Sequence, residues 1–171
     1  MTVGAGTPRP RRLPSLATLR AQELVRNDPE LAARVLLLAE PTVPAYVKGP
    51  DDIAMLCAPA IRGLPYEALW CCALGRRGNV IDARVLSTGT DGYTIVDPRQ
   101  ILRFALTCGA LPAHSIAIAH NHPSGDPTPS HEDIASTARV RAACDIIGIV
   151  LLDHVVMGAR SYVSLAQRGA V

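Results

Sequence analysis

His120-Asn121-His122-Pro123-Ser124-Gly125-Asp126-Pro127-Thr128-Pro129-Ser130-His131-Glu132-Asp133 is the stretch on which the fold and the chemistry turn. The apolar segment Ser115-Ile116-Ala117-Ile118-Ala119 runs directly into it and reads as a buried strand. Side chains at i and i+2 of a strand share a face, so His120 and His122 can converge on one point at the strand's end. Pro123 cannot donate to a ladder, and the strand stops there. A Gly/Pro/Ser loop then leads into a helix opening at Ser130, whose start brings Asp133 back toward the histidines. Two imidazoles and one carboxylate make the half-open ligand set of a catalytic zinc, with the fourth position left for water. A second, compatible reading uses the same residues. Ser130-x-x-Asp133 is a capping-box variant, in which Asp133 satisfies amides at the helix start.

The 171 residues suit one domain with a small appendage, and an apolar share of 49% is enough for a sizeable core. The formal net charge of +2 does not by itself imply a nucleic-acid partner. Lys48 is the only lysine, and the one locally basic stretch holds Arg9, Arg11 and Arg12. It reads as a solvated tail. Cys57, Cys71, Cys72, Cys108 and Cys144 lie in apolar surroundings without C-x-x-C spacing. They read as small core hydrophobes in a reducing compartment, not as a disulfide set or a thiolate zinc site. The start of the chain has arginines and prolines but no apolar core of a secretory signal. The apolar run from Ile146 to Met157 is too short for a bilayer and is interrupted by Asp153 and His154. The expectation is a cytoplasmic protein with no membrane association.

Along the chain, residues 1–13 read as a disordered basic tail and 14–49 as a short helical segment and linker. Asp28-Pro29 caps the second of two short helices, from Glu30 to Glu40. Asp51 opens a helix that stops near Gly63. Residues 67–74 form an apolar strand buried on both faces, and Gly75-Arg76-Arg77-Gly78 turns it into a second strand from Asn79 to Leu86. Asp97-Pro98 caps a helix to about Cys108. The metal strand, its loop and a helix from about His131 to Ile146 follow. After Gly148 come a strand from Ile149 to Val156 and a last short strand near Tyr162. Strands and helices alternate around a mixed sheet, which predicts a three-layer α/β/α fold.

His120-x-His122, seven residues, then Ser130-x-x-Asp133 resembles the metal signature of the JAB/MPN metalloproteases, also called JAMM proteins. The fuller string is similar to the RadC branch of that family. Ser87-Thr88-Gly89-Thr90, Pro98-Arg99 and Leu151-Leu152-Asp153-His154 add to the likeness, which covers about residues 50 to 165. The resemblance implies an MPN-like, cytidine-deaminase-like fold over 50–171 and zinc held by His120, His122 and Asp133. Activity would then be cleavage of an amide or isopeptide bond by a metal-activated water. It also implies that Glu67, in Tyr66-Glu67-Ala68-Leu69-Trp70, is the acid/base, and that Ser130 supports the oxyanion. Read from its surroundings alone, Glu67 is a solvated strand-end carboxylate. Asp97 stands where the family more often has histidine, a departure that touches a helix cap and not a ligand. Proteins of this branch usually carry a helix-hairpin-helix module. No glycine-centred hairpin is visible in residues 14–40, so that DNA-binding arm is expected to be absent or reduced.

The ligand spacing differs from that of an HNH nuclease, and the H-x-E with P-C-x-x-C of a zinc deaminase is absent. Two alternatives stay open. One is a nucleic-acid-associated module, expected to bind weakly because there is no clear basic groove or aromatic platform. The other is a metal-bound interaction domain without turnover. Asp153 and His154 read as a buried, hydrogen-bonded core pair, Trp70 as core, and Asp126 as a solvated residue within reach of substrate. A peptide or protein substrate is expected to lie extended beside the metal strand, pairing with backbone groups.

Overall fold

The computed structural model describes residues 46–89 and 96–171. The basic tail, the two short helices expected over 14–40 and most of the linker lie outside the described residues. So does Thr90 at the end of the Ser87-Thr88-Gly89-Thr90 string.

Eight elements follow one another: α1 (Pro50–Ile61), β1 (Ala68–Leu74), β2 (Val80–Thr88), α2 (Pro98–Thr107), β3 (Ser115–Asn121), α3 (His131–Ile147), β4 (Val150–Met157) and β5 (Tyr162–Ser164). The five strands form one sheet in the order β2-β1-β3-β4-β5. β3 and β4 are parallel, and the other neighbours are antiparallel. The mixed α/β sheet expected from the alternation of elements is therefore present. No helix among the described residues is long and apolar enough to cross a membrane.

Local sequence explains most boundaries. Gly75 and Gly78 close the β1–β2 turn through Gly78 N–H to Gly75 C=O and Gly75 N–H to Asn79 C=O, both 2.9 Å. Asp97 caps α2 by accepting from Arg99 N–H at 2.9 Å, and Pro98 stands in the first turn, where its missing N–H costs nothing. Gly148 ends α3 in the left-handed conformation at φ 72°, which a side chain would disfavour.

The two central strands are buried at every position, so the sheet is covered on both faces. Alternation sorts their side chains into two cores. Ala68, Trp70, Cys72, Leu74, Ala117 and Ala119 pack with Ile53, Ala54, Cys57 and Ile61 of α1. Leu69, Cys71, Ala73, Ile116 and Ile118 pack with Ile101, Phe104 and Ala105 of α2 and Val140 and Cys144 of α3. Trp70 is core, as its alternation predicted, at 2% exposure.

β4 carries a bulge. Ile116 pairs with Leu151 but Ala117 pairs with Asp153, so Leu152 is the extra residue. The bulge resets alternation and allows Leu151 and His154 to face the same core. Asp153 turns the other way. Its carboxylate accepts from Ser164 Oγ at 2.6 Å and Ala166 N–H at 3.0 Å, pinning the C-terminal turn. Asp153 and His154 are both buried and hydrogen-bonded, as expected. The two side chains lie on opposite faces, linked only by His154 N–H donating to Asp153 Oδ1 at 2.7 Å.

Candidate metal centre

The site is built at one end of the sheet, where β3 finishes and β1 begins. Leu69 pairs with His120 in the antiparallel β1–β3 register. Continuing that register two residues outward sets Glu67 opposite His122, on the face that carries both histidines. Glu67 and His122 line one open cleft of about 390 Å³, together with Pro123, Ser124, Ser130, Glu132, Asp133, Ser136 and Val96.

His120, His122 and Asp133 present ligand atoms that all lie within 4.8 Å of one another. His120 Nε2 is 3.0 Å from His122 Nε2 and 3.1 Å from Asp133 Oδ1, and His122 Nε2 is 3.5 Å from Asp133 Oδ2. With bonds of about 2.0–2.1 Å, the edges of a tetrahedral zinc site are about 3.3 Å long, so the spacing suits that geometry. The donor chemistry points the same way. His122 Nδ1 faces the Asp126 carbonyl at 2.8 Å, which can only accept, so Nδ1 carries a hydrogen and in the neutral ring Nε2 is a bare lone pair. A lone pair aimed at another imidazole nitrogen and a carboxylate needs a cation or proton between them. The three residues therefore form a group that can hold a metal ion.

The side chains of this group are braced. Asp133 Oδ2 accepts from Ser130 N–H and Ser130 Oγ–H, both at 2.7 Å, while Ser130 Oγ accepts from Asp133 N–H at 3.1 Å. The capping box read from the sequence is thus formed, and it aims the carboxylate. Ser130 has one hydroxyl proton, and here Asp133 receives it. The loop that carries the Asp126 carbonyl is held by its own residues. Asp126 Oδ1 accepts from Thr128 N–H at 2.9 Å and Thr128 Oγ1 at 2.7 Å, so this side chain serves the loop. Gly125 C=O accepts from Ala159 N–H at 3.0 Å. At Gly158 a Cβ would come within 2.5 Å of the Gly125 oxygen, so a side chain there would displace the loop.

Burial works to raise the Asp133 carboxyl. Hydrogen bonds and charge from His120 and His122, with Ser130, outweigh it and hold the group well below the usual carboxylate range. The hydrogen bond to Asp133 raises the His122 imidazolium above its ordinary value, against a smaller lowering by burial. Burial drives His154 well below the ordinary histidine range, helped by the neighbouring His120.

Three side chains belong to the site that the motif did not announce. His154 Nε2 lies 2.8 Å from His120 Nδ1. Thr137 Oγ1 lies 2.6 Å from His154 Nδ1 and 2.6 Å from the Asp133 carbonyl oxygen. Asn121, between the two histidines, points to the α1 face. Its Oδ1 accepts from Ala68 N–H at 2.8 Å and its Nδ2 donates to the Tyr66 carbonyl at 2.9 Å, so it clamps the backbone on both sides of Glu67. A buried asparagine inside an apolar strand was the available signal, because strands are poor in asparagine.

Residues 47–170 match the family described as the RadC-like JAB domain. The chain belongs to that family. It is 39% identical over 140 residues to a UPF0758 protein of Listeria monocytogenes, an alignment covering 82% of this chain and 61% of that protein. A UPF0758 protein of Shouchella clausii is 40% identical over 123 residues, 72% of this chain and 52% of that protein. One from Desulfitobacterium hafniense is 35% identical over 158 residues, 92% of this chain and 67% of that protein. The chain thus spans little more than half to two thirds of the length of these relatives. In this RadC-like JAB domain the His-x-His strand end and the capped aspartate meet beside Glu67.

Proposed function

We propose that the chain is a zinc-dependent hydrolase of the JAMM metallopeptidase type, acting on an amide or isopeptide bond in a peptide or protein. The observation that carries the reading is the convergence of His120, His122 and Asp133 beside Glu67 in an open cleft. Zinc held by those three residues would supply Lewis acidity, bringing the pKa of water toward about 7 and polarising a carbonyl. Glu67, a half-buried carboxylate opposite His122, would accept the proton of the attacking water and pass it to the leaving nitrogen. Asp133 and the histidines stay fixed through the capping box and the loop carbonyl. Ser130 would hold Asp133 in place, and it serves a developing oxyanion only if its proton changes partner.

β1 pairs with β3 from Ser115 to His120 and β4 pairs with it from Ser115 to Asn121, so an extended substrate would find its backbone partners around the cleft and not along β3 itself. A scissile bond would instead cross the cleft between Glu67 and the loop at Pro123 and Ser124. Weak nucleic-acid binding is the expectation we keep. Arg84 and Arg99 each hold a carboxylate partner, Asp82 and Asp97, at 2.9 Å. Burial pushes the Cys57 and Cys72 thiols up to about 12, so they stay protonated and unreactive, as core hydrophobes do.

A peptide-library cleavage assay on zinc-loaded protein tests the proposal. Glu67→Gln should retain zinc and fold while turnover falls by about 100-fold or more. A variant that keeps full activity, or that loses its zinc, contradicts the role given to Glu67. A zinc-loaded wild type that cleaves nothing across amide and isopeptide substrates favours an interaction domain without turnover.

A further inference from the structure

We propose that Thr137 and His154 are positioning residues that lock His120 into the tautomer able to bind a metal, through a hydrogen-bond relay starting at the Asp133 main-chain carbonyl. The inference rests on reading His120, His122 and Asp133 as metal ligands.

The relay is fixed at its far end by an atom that has no proton to give. The Asp133 carbonyl can only accept, and Thr137 Oγ1 lies 2.6 Å away, so the single hydroxyl proton of Thr137 is committed there. Oγ1 must then accept from His154 Nδ1, also at 2.6 Å, which places a hydrogen on that nitrogen. The His154 ring is fully buried, and the carboxylate next to it in sequence, Asp153, is turned to the other face and taken by Ser164 and Ala166. A buried imidazolium without a paired charge is costly, so the ring is neutral and its Nε2 is bare. Nε2 lies 2.8 Å from His120 Nδ1, which must donate. His120 Nε2 is left as a lone pair, aimed at the point shared with His122 and Asp133.

The reversed relay breaks at its first link. If His120 carried its hydrogen on Nε2, His154 would donate to His120 and accept from Thr137. The Thr137 oxygen would then face the Asp133 carbonyl at 2.6 Å with no proton between them. Topology brings the parts together. Asp133 and Thr137 are one turn apart on α3, and the bulge at Leu152 turns His154 toward them. The helix that supplies one ligand thus sets the protonation pattern of another, a link of the kind that fixes metal-binding histidines.

Long-range proton–nitrogen correlation spectra of metal-free, ¹⁵N-histidine-labelled wild type read the tautomers without any metal. His120 and His154 should both be hydrogenated at Nδ1. His120 hydrogenated at Nε2 overturns the relay, whatever the protein does with zinc. Zinc affinity, measured by competition with a chromophoric chelator, gives the second arm. The near-isosteric Thr137→Val should weaken zinc binding by about tenfold, whereas Thr137→Ser, which keeps the hydroxyl, should bind like wild type. Unchanged affinity in Thr137→Val also overturns the relay. A wild type that takes up no zinc sinks the ligand assignment instead, and the tautomer spectra then decide the relay alone.

Discussion

The two faces of the sheet are equally buried and differently made. On the α1 side the central strands contribute Ala68, Trp70, Cys72, Leu74, Ala117 and Ala119, and packing against Ile53, Cys57 and Ile61 is a matter of apolar area. On the other side the same strands begin with Ile116 and Ile118 against α2 and α3 but end in His120, with His154, Thr137 and Asp133 around it. Polar groups at that depth are tolerable only when each donor finds an acceptor, and there each one does. The α1 face holds the sheet together, and the far end of the opposite face spends its burial on orienting nitrogen and oxygen atoms. Damage to the first should show as lost stability, and damage to the second as lost metal binding.

The largest expected effect on that division comes from Trp70→Ala. It should lower stability by about 3–5 kcal/mol, because a buried ring is replaced by a cavity. The fraction that remains folded should bind zinc as tightly as wild type. Denaturant titration paired with zinc competition checks this, and weakened zinc binding in the folded fraction would show that the faces are not independent.

Asn121→Ala sharpens the comparison, because this side chain lies on the α1 face yet clamps the backbone beside Glu67. Removing it leaves Ala68 N–H and the Tyr66 carbonyl without a partner and should cost about 1–3 kcal/mol. Unlike Trp70→Ala, it should reduce turnover of the folded fraction while leaving zinc affinity unchanged. Turnover that stays level with the folded fraction would make Asn121 a purely structural residue.

The smallest effect is a dependence on pH. His122 is raised above 6.5 in the folded, metal-free chain, chiefly by its hydrogen bond to Asp133. Its contribution to stability is complete below the ordinary histidine value and disappears as pH rises through the raised one. Asp133 is lowered below 3.8, so its contribution is present above the ordinary carboxylate value and is lost only on strong acidification. His154 acts the other way: burial keeps it neutral in the folded chain, so its share grows as pH rises through the ordinary histidine value, and the two contributions oppose each other between about pH 6 and about pH 8. The extra stability conferred by zinc should grow over the same interval, because zinc binds only neutral imidazole. Thermal melts at both pH values, with and without zinc, should show the zinc-induced rise in Tm growing from the lower pH to the higher.

Much of this was legible in the chain because it is local. The i, i+2 histidines, the proline stop, the capping box at Ser130 and the glycine that ends α3 each involve neighbours within a few residues, and each is in place. What escaped depends on partners distant in sequence. The double pairing of β3, which closes it to a substrate strand, requires β1 and β4 to be set on either side. The role of His154 depends on a bulge at Leu152 that no residue type advertises. Asp153 and His154 therefore read as a pair when they in fact serve opposite faces. The clamp made by Asn121 depends on Ala68 and Tyr66, more than fifty residues earlier in the chain.

Metal content tests the central claim most directly. Protein purified without chelator, or reconstituted with zinc and desalted, should carry about one zinc per chain by elemental analysis. His122→Ala and Asp133→Ala should each carry almost none while remaining folded by circular dichroism. Wild type that takes up no transition metal, or variants that hold as much zinc as wild type, would contradict the account.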